Sequence, residues 1–453
     1  MNNIIRTRFA PSPSGFLHLG NLRTALFSYL AARESKGTFV LRIEDTDLSR
    51  TSEEYLQAIY KYLTWLGIEY DEGPHKGGPN GPYKQSERHT VYEKYLNILI
   101  EKQFVYRCFK TTEELEMERA KQIAYGLPPR YVRFNDPVQE AIFLQEGKPF
   151  VWRFQLPKGS TSIVDKARGV SIFELEHFAD SPITRQDGSF TFLFANFVDD
   201  VEMDITYVIR GEEHISNTAI QSCMYEALGK KKPLYYHLPL LCDLQGKKLS
   251  KRDFGFSLQD LINAGFLPHA IINYLIIIGS SFEEEIFSLQ EAIQRKAFFY
   301  THSTGSIRYD IRKLAWINKQ WMKKISPHDF VYVIHDVIIE KYGNETGAAI
   351  LKNHALLSDL KEECENVNQC VEYINYFISS KRFHDVRPFV VDIINEWQKQ
   401  QQDHTFESFK EIAGLYAKRL SLSQKEMWQE IRYYFIGSRE GLSIKLILKY
   451  SIF

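Results

Sequence analysis

Two short strings, more than two hundred residues apart, constrain this chain more than anything else in it: Pro11-Ser-Pro-Ser-Gly-Phe-Leu-His-Leu-Gly-Asn21 and Lys248-Leu-Ser-Lys-Arg252. In the first, Pro11, Pro13 and Gly15 force a turn, and the apolar pattern beyond it predicts a helix. His18 and Gly20 stand where that helix begins, the place where unpaired backbone N–H groups gather. Gly20 leaves room there for a ring or a phosphate. The second string puts two lysines and a serine on a loop. Fixed donors at a helix start, together with mobile cations that follow developing charge, are what a polyphosphate needs.

The surrounding pattern gives these strings a frame. Residues 4–9 and 38–43 are β-rich, and Leu22 to Glu34 reads as a helix with Leu22, Ala25, Leu26 and Tyr29 on one face. That β-loop-α-β unit favours a right-handed parallel crossover. A second helix is predicted over Ser52 to Leu66, with Thr51 and Ser52 as cap candidates and Gly67 as its stop. From about 75 to 190 the rhythm breaks, beginning with Gly77-Gly-Pro-Asn-Gly-Pro82, and this stretch reads as an insertion. The sheet resumes near Phe190, with Val198-Asp-Asp200 and Ile205 to Arg210 as strand-like runs and Leu238 to Cys242 leading into the lysine loop. From about Phe254 onward the pattern is 3.6-periodic and predicts an all-helical second half.

At 453 residues the chain exceeds one core, so two to four domains are expected. The formal net charge is −1, which excludes a polycation drawn non-specifically to nucleic acid. Any RNA contact must come from local patches such as Lys230-Lys-Lys232 and the 247–252 loop. The five scattered cysteines read as free thiols. No secretory signal pattern and no apolar run near the roughly 20 residues of a membrane span appear, so a cytoplasmic protein is expected.

The two strings, in this order, resemble the HIGH and KMSKS signatures of class I aminoacyl-tRNA synthetases. The flanking residues resemble the bacterial-type glutamyl-tRNA synthetases. They include Thr7-Arg-Phe-Ala-Pro-Ser-Pro-Ser-Gly15, Leu41-Arg-Ile-Glu-Asp-Thr-Asp47, Tyr70-Asp-Glu-Gly-Pro74 and Gly81-Pro-Tyr-Lys-Gln-Ser-Glu-Arg88. Val208-Ile-Arg-Gly-Glu-Glu-His214 and Leu314-Ala-Trp-Ile-Asn318 continue the series in the family's order. The resemblance implies an α/β fold: a parallel-sheet, Rossmann-like catalytic domain split over 1–75 and 190–253, with an inserted acceptor-stem-binding α+β domain at 76–189. An all-helical C-terminal half follows, with a stem-contact domain at 254–320 and an anticodon-binding domain at 321–453. The implied activity is ligation of L-glutamate to tRNA(Glu) through a glutamyl-adenylate, using ATP with Mg²⁺, by a monomer. Charging of tRNA(Gln) is left open. The family's discriminating arginine on an anticodon-domain helix has no counterpart in the nearby Asp359-Leu-Lys-Glu-Glu-Cys364.

Carried over position by position, the resemblance makes His18, Gly20, Lys248 and Lys251 the catalytic set, Lys251 stabilising charge on the departing pyrophosphate. ATP would also meet Pro11, Asn21, Glu213 and Ser250. Glutamate would meet Arg8, Ala10, Ser12, Glu44, Phe192, Asn196 and Arg210. Arginines suit its two carboxylates, since their forks pair bidentately and keep their proton, and Glu44 suits the ammonium. Arg252 would contact RNA or phosphate. Two departures stand out. The family's tyrosine in Asp-Gly-x-x-Thr-Tyr is Phe192 here, which either keeps the ring's place without its hydroxyl or is a plain core residue. The family's zinc pattern is also broken: Cys108 is followed by Lys110 in place of a second thiolate, and Pro129-Arg-Tyr-Val-Arg-Phe134 offers no Cys or His, so no zinc is expected. Rival readings are a glutaminyl-tRNA synthetase, which the helical C-terminal half disfavours, and a catalytically dead RNA-binding relative, which the intact His18, Gly20, Lys248 and Lys251 disfavour.

Overall fold

The computed structural model describes residues 5–47, 50–126, 131, 136–249, 255, 257–299, 303–379, 383, 385–399 and 405–450. The first strand, β1 (Arg6–Phe9), leads through the proline-rich turn into α1 (Leu19–Glu34) and then β2 (Thr38–Leu41). β1 and β2 pair in parallel, Arg6 opposite Thr38 and Phe9 opposite Leu41, as a helical connection requires. The sequence pattern put one apolar face on α1, but the helix is buried on nearly every side from Leu19 to Ala32. α2 (Glu53–Trp65) begins at Ser52, whose hydroxyl accepts from the Glu54 N–H at 3.2 Å. Glu53 and Glu54 sit at the positive end of that helix, and Gly67, at φ 68°, turns the chain away from it.

The inserted stretch supplies α3 (His89–Glu101), β3 (Val105–Cys108), α4 (Thr112–Ala124), α5 (Pro137–Gln145), β4 (Val151–Phe154), β5 (Ser160–Asp165), β6 (Gly169–Glu174) and β7 (Ser181–Pro182). β4 lies antiparallel between β3 and β7, and β5 and β6 form an antiparallel hairpin. The chain then forms α6 (Phe192–Glu202), β8 (Tyr207–Gly211), α7 (Ile215–Ala227) and β9 (Leu234–Leu238). β8 and β9 are parallel, and β5 joins β9 in parallel where Asp165 faces Tyr235. The hairpin from the inserted stretch thereby extends this sheet, in the order β6-β5-β9-β8. Tyr92, Leu99, Phe154, Phe194, Phe197 and Met224 share one buried core.

Val198-Asp-Asp200, expected as strand, lies inside α6. The helical period explains why: Phe194, Phe197, Val198 and Val201 fall at the spacing of one helix face. Asp199 and Asp200 follow Asn196 by three and four positions, which puts all three on a common side. Among its described residues, the second half also holds one short strand outside its helical pattern. β10 (Leu241–Cys242) pairs in parallel with β11 (Ile307–Arg308). Between them come α8 (Leu258–Asn263), α9 (Pro268–Ile277) and α10 (Leu289–Gln294).

The chain divides into two compact units, residues 1–260 with 272–310, and residues 261–271 with 311–453. The second contains α11 (Ile311–Lys324), α12 (Pro327–Lys352), α13 (His354–Glu363), α14 (Val367–Ser379), α15 (Pro388–Lys399), α16 (Phe406–Arg419), α17 (Gln424–Ile436) and α18 (Ile444–Tyr450). Leu360, Ile374, Ile393, Phe409 and Ile431 are fully buried in it. Asp359 to Glu363 form the end of α13, where Asp359 accepts from Lys449 and Tyr450. The architecture is thus a parallel-sheet α/β region with an inserted mixed β segment, followed by a helical C-terminal region. Among the described residues, no helix is long and apolar enough to cross a membrane.

Candidate active site

The turn after β1 brings the chain to the start of α1 with His18 as the capping residue. His18 Nδ1 accepts from the backbone N–H of Gly20 at 3.1 Å and of Asn21 at 3.2 Å. These are two of the N–H groups that the sequence reading offered to an anion, and the imidazole takes them instead. That bonding requires an unprotonated Nδ1, so the neutral ring carries its proton on Nε2. Gly20 suits the arrangement, because a Cβ there would crowd the His18 ring at 3.0 Å. The room at Gly20 is taken up in part by His18's own ring.

His18, Gly20 and Asn21 line a cavity of about 180 Å³ together with Arg8, Ala10 and Glu44. Phe192, Asn196, Arg210, Glu213 and Lys248 complete the sequence-expected residues found there. Lys248 reaches it from a hairpin in which Asp243 and Lys247 are bonded and the Leu249 N–H meets the Leu241 carbonyl. Pro11 and Ser12 are not among the lining residues. Ser12 is exposed, and the Pro11 carbonyl accepts from the Glu44 N–H at 3.0 Å, which fixes Glu44's place. Ser250, Lys251 and Arg252 lie outside the described residues. Phe192 opens α6 at the cavity wall, half-buried, with its ring 5.9 Å from that of His214.

The floor is a buried ionic network. Arg42, fully buried, meets Asp200 at 2.8 Å, Glu44 at 3.1 Å and Asp199 at 3.6 Å. Arg8 forks onto Asp200 and donates to the Ile209 carbonyl, and Arg88 meets Asp199 at 2.6 Å. Burial works against the charge on all three acids. For Asp200 the arginines Arg8 and Arg42 outweigh it and hold the carboxyl below its ordinary range. For Glu44 and Asp199 burial prevails and raises them, against Arg42 in each case. An arriving ammonium would relieve Glu44.

Arg210 differs from the other buried arginines. Its Nη2 donates to Thr218 Oγ1 and to Gln221 Oε1, both at 2.7 Å, and both acceptors are neutral. Its Nε has no hydrogen-bond partner, and among the described residues no carboxylate pairs with it. Burial, with Arg8 nearby, pulls its pKa down to about 10. A buried guanidinium in this state lacks an anion. Gln221 also donates to Asn196 Oδ1 at 3.0 Å, and Asn196 donates to Glu44 at 2.7 Å. A chain of two amides, Asn196 and Gln221, therefore links Glu44 to Arg210 across the site.

Several cavity residues were absent from the sequence reading. Arg23, also on the wall and only 1 % exposed, has unpartnered Nε and Nη1, and burial lowers its pKa to about 10. His214 is held neutral near pH 7, its pKa pushed down to about 4 by burial and then by Arg210 and Arg8. The Arg42–Asp199–Asp200 core was hidden by the strand reading of Val198–Asp200. The spacing of Asn196, Asp199 and Asp200 was the signal that could have shown it. Among the described residues, no three His, Cys, Asp or Glu side chains gather as a metal cage, and Cys108 is a buried free thiol on β3.

Comparison with known proteins gives the class of enzyme to which this fold and cavity belong. The family described as tRNA synthetases class I (E and Q), catalytic domain, matches residues 4–316. Over nearly its whole length the chain is similar to the glutamate–tRNA ligase of Sulfurihydrogenibium sp. (strain YO3AOP1), 37% identical over 467 residues that cover 98% of this chain and 96% of that one. It is also similar to the glutamate–tRNA ligase of Aquifex aeolicus, at 35% over 475 residues, covering 98% and 95%. A crystal structure of a glutamate tRNA ligase from Elizabethkingia meningosepticum in complex with its amino acid matches with a TM-score of 0.81 at 29% identity, covering 98% of this chain and 95% of that one. The chain belongs to the bacterial-type class I glutamyl-tRNA synthetases.

Proposed function

We propose that this enzyme activates L-glutamate with ATP and transfers it to tRNA(Glu). The glutamate α-carboxylate attacks the α-phosphorus of ATP, the bond to the β-phosphate bridge breaks, and pyrophosphate leaves. A ribose hydroxyl of the tRNA's terminal adenosine then attacks the glutamyl carbonyl and displaces AMP. No covalent enzyme intermediate is needed, so positioning and electrostatics carry the rate.

The observation that carries this reading is Arg210. Its buried guanidinium lacks a carboxylate, and glutamate brings one for Arg210 and another within reach of the outer N–H groups of Arg8. Glu44 takes the ammonium, with Asn196 and Ala10 beside it, and Phe192 forms the adjoining wall. Ser12, exposed in the structure, joins the site only if the turn shifts on binding. His18 offers Nε2–H to a phosphate while its Nδ1 stiffens the helix start. Gly20, Asn21 and Glu213 frame the nucleotide, and Lys248, Ser250 and Lys251 are assigned to its phosphates, while Pro11, off the cavity wall, serves through the carbonyl that holds Glu44. Mg²⁺ arriving with ATP would neutralise phosphate charge, and phosphate oxygens suit it better than the arginine-rich floor.

The 76–189 segment is assigned to the tRNA acceptor stem, 254–320 to stem contacts and 321–453 to the anticodon, with Arg252 on the RNA or phosphate. The test is charging of purified tRNA(Glu) and tRNA(Gln) with labelled glutamate, side by side. Glutamyl-tRNA(Glu) is the expected product, and its absence would overturn the reading. Label on tRNA(Gln) as well would make the enzyme non-discriminating, in line with the lack of an arginine in Asp359–Cys364.

A further inference from the structure

Behind Arg210 runs a chain of side chains that glutamate itself would not touch. Thr218 Oγ1, which accepts from Arg210, lies 2.8 Å from His237 Nε2, and His237 Nδ1 lies 2.6 Å from Asp165 Oδ2. Thr218 is 0 % exposed, and His237 and Asp165 are each 1 % exposed. The four residues come from four elements: Arg210 from β8, Thr218 from α7, His237 from β9 and Asp165 from the end of β5. Asp165 is itself fixed. Its Oδ1 accepts from the Ala167 and Arg168 N–H groups at 2.8 and 3.1 Å, and its Oδ2 also accepts from the His237 N–H at 3.2 Å.

The hydrogen-bond inventory gives this chain a direction. An arginine cannot accept, so Thr218 must present a lone pair to it, and the single hydroxyl proton must go elsewhere. Two acceptors are in reach, His237 Nε2 and the His214 carbonyl at 3.0 Å. The Asp165 carboxylate is an acceptor only, so it requires the proton of a neutral His237 on Nδ1 and leaves Nε2 as an acceptor. Burial favours that neutral ring, pulling the His237 pKa below its ordinary value against the opposing pull of Asp165. Directed to Nε2 or to the His214 carbonyl, that proton points away from Arg210, and a lone pair of Thr218 is left to the guanidinium. With no carboxylate to pin it, Arg210 depends on this hydroxyl and on Gln221 for its orientation.

We propose that Asp165, His237 and Thr218 are positioning residues that hold the Arg210 guanidinium in the orientation that receives the substrate carboxylate. The inference rests on the reading of Arg210 as a glutamate contact. It also gives the inserted stretch a part in the amino-acid site, since Asp165 comes from β5.

The test uses full-length enzyme and separates glutamate from ATP. Thr218→Val keeps the shape and removes the hydroxyl, and it should raise the glutamate KM by about tenfold or more with the ATP KM changed less than about twofold. Thr218→Ser should restore most of the loss. Asp165→Asn should act in the same direction, and adding it to Thr218→Val should bring little further loss, since both work through Arg210. An unchanged glutamate KM in Thr218→Val, an equal rise in both KM values, or a folded Thr218→Ser as impaired as the valine variant would overturn the proposal. Should Thr218→Val not fold, Asp165→Asn decides on the same readout: a selective rise in glutamate KM supports the relay, and none refutes it. Arg210→Gln measured in parallel distinguishes the two levels. If it leaves glutamate KM and kcat untouched, the carboxylate reading fails and the relay with it; if it cripples glutamate use and Thr218→Val does not, the relay alone fails.

Discussion

Replacing Arg210 by glutamine asks whether the unpaired guanidinium is there for the substrate or for the fold. In the enzyme without glutamate, burial lowers this arginine by more than two pKa units below its ordinary value, to about 10. At about 1.4 kcal/mol per pKa unit, holding the charge there is unfavourable by on the order of 3 kcal/mol. The bonds to Thr218 and Gln221 return part of this, at about 1 kcal/mol each. Arg210→Gln should therefore leave the unliganded enzyme as stable as wild type or slightly more so. With glutamate bound the balance reverses, because a buried carboxylate would lose its partner, at about 3–5 kcal/mol. The expected loss in kcat/KM for glutamate lies between about 100-fold and a few thousand-fold, with the ATP KM nearly unchanged. ATP–pyrophosphate exchange in the presence of tRNA, with a thermal melt of the same preparation, reads both sides. A variant that melts well below wild type and binds ATP poorly, or one that keeps glutamate kcat/KM within about threefold, would refute the reasoning.

Three further outcomes are expected. Phe192→Tyr should lower the glutamate KM, because the ring already stands at the cavity wall and a hydroxyl adds a charge-assisted bond of about 1.5–3 kcal/mol at most; an unchanged or higher KM would mean the ring does not face substrate. Elemental analysis of protein purified without added metal should find no stoichiometric zinc, and one tightly held zinc per chain would show a ligand set that the broken Cys108 pattern does not reveal. Burial raises the pKa of Glu34 to about 7, against the 4.5 of an ordinary carboxyl, so the folded state holds its proton longer than the unfolded chain. Stability from this group is present below about pH 4.5 and is lost as pH rises toward 7. Glu34→Gln should then stabilise the protein by on the order of 1–2 kcal/mol at pH 8 and by almost nothing at pH 4.5, and an equal effect at both pH values would contradict this.

The elements that place the site were legible where the signal is local. Two β-rich runs flanking a helix, a serine cap at Ser52 and a glycine stop at Gly67 each depend on neighbours in sequence, and β1, α1, β2 and α2 formed as those neighbours require. Val198–Asp200 was misread because three residues give too short a window to tell a period of 2 from one of 3.6, whereas Phe194 to Val201 gives the helix plainly. The cavity residues were found through motif positions, but their partners were not. Arg42 meeting Asp200, or His237 meeting Asp165, joins residues from separate elements, and no spacing along the chain announces such pairs. Even His18, recognised as a site residue, proved to be the cap of its own helix, because a ring nitrogen over the helix start satisfies backbone donors as a serine would.

Selection of a carboxylate over an amide by one cation, Arg210, is tested most directly by ATP–pyrophosphate exchange with the wild-type enzyme in the presence of tRNA. Glutamate should support exchange. Glutamine should be worse by at least about 100-fold in kcat/KM, because its amide leaves the Arg210 guanidinium buried and unpaired. Exchange with glutamine at a rate comparable to glutamate would contradict the assignment of Arg210, and with it the glutamate-specific reading of the cavity.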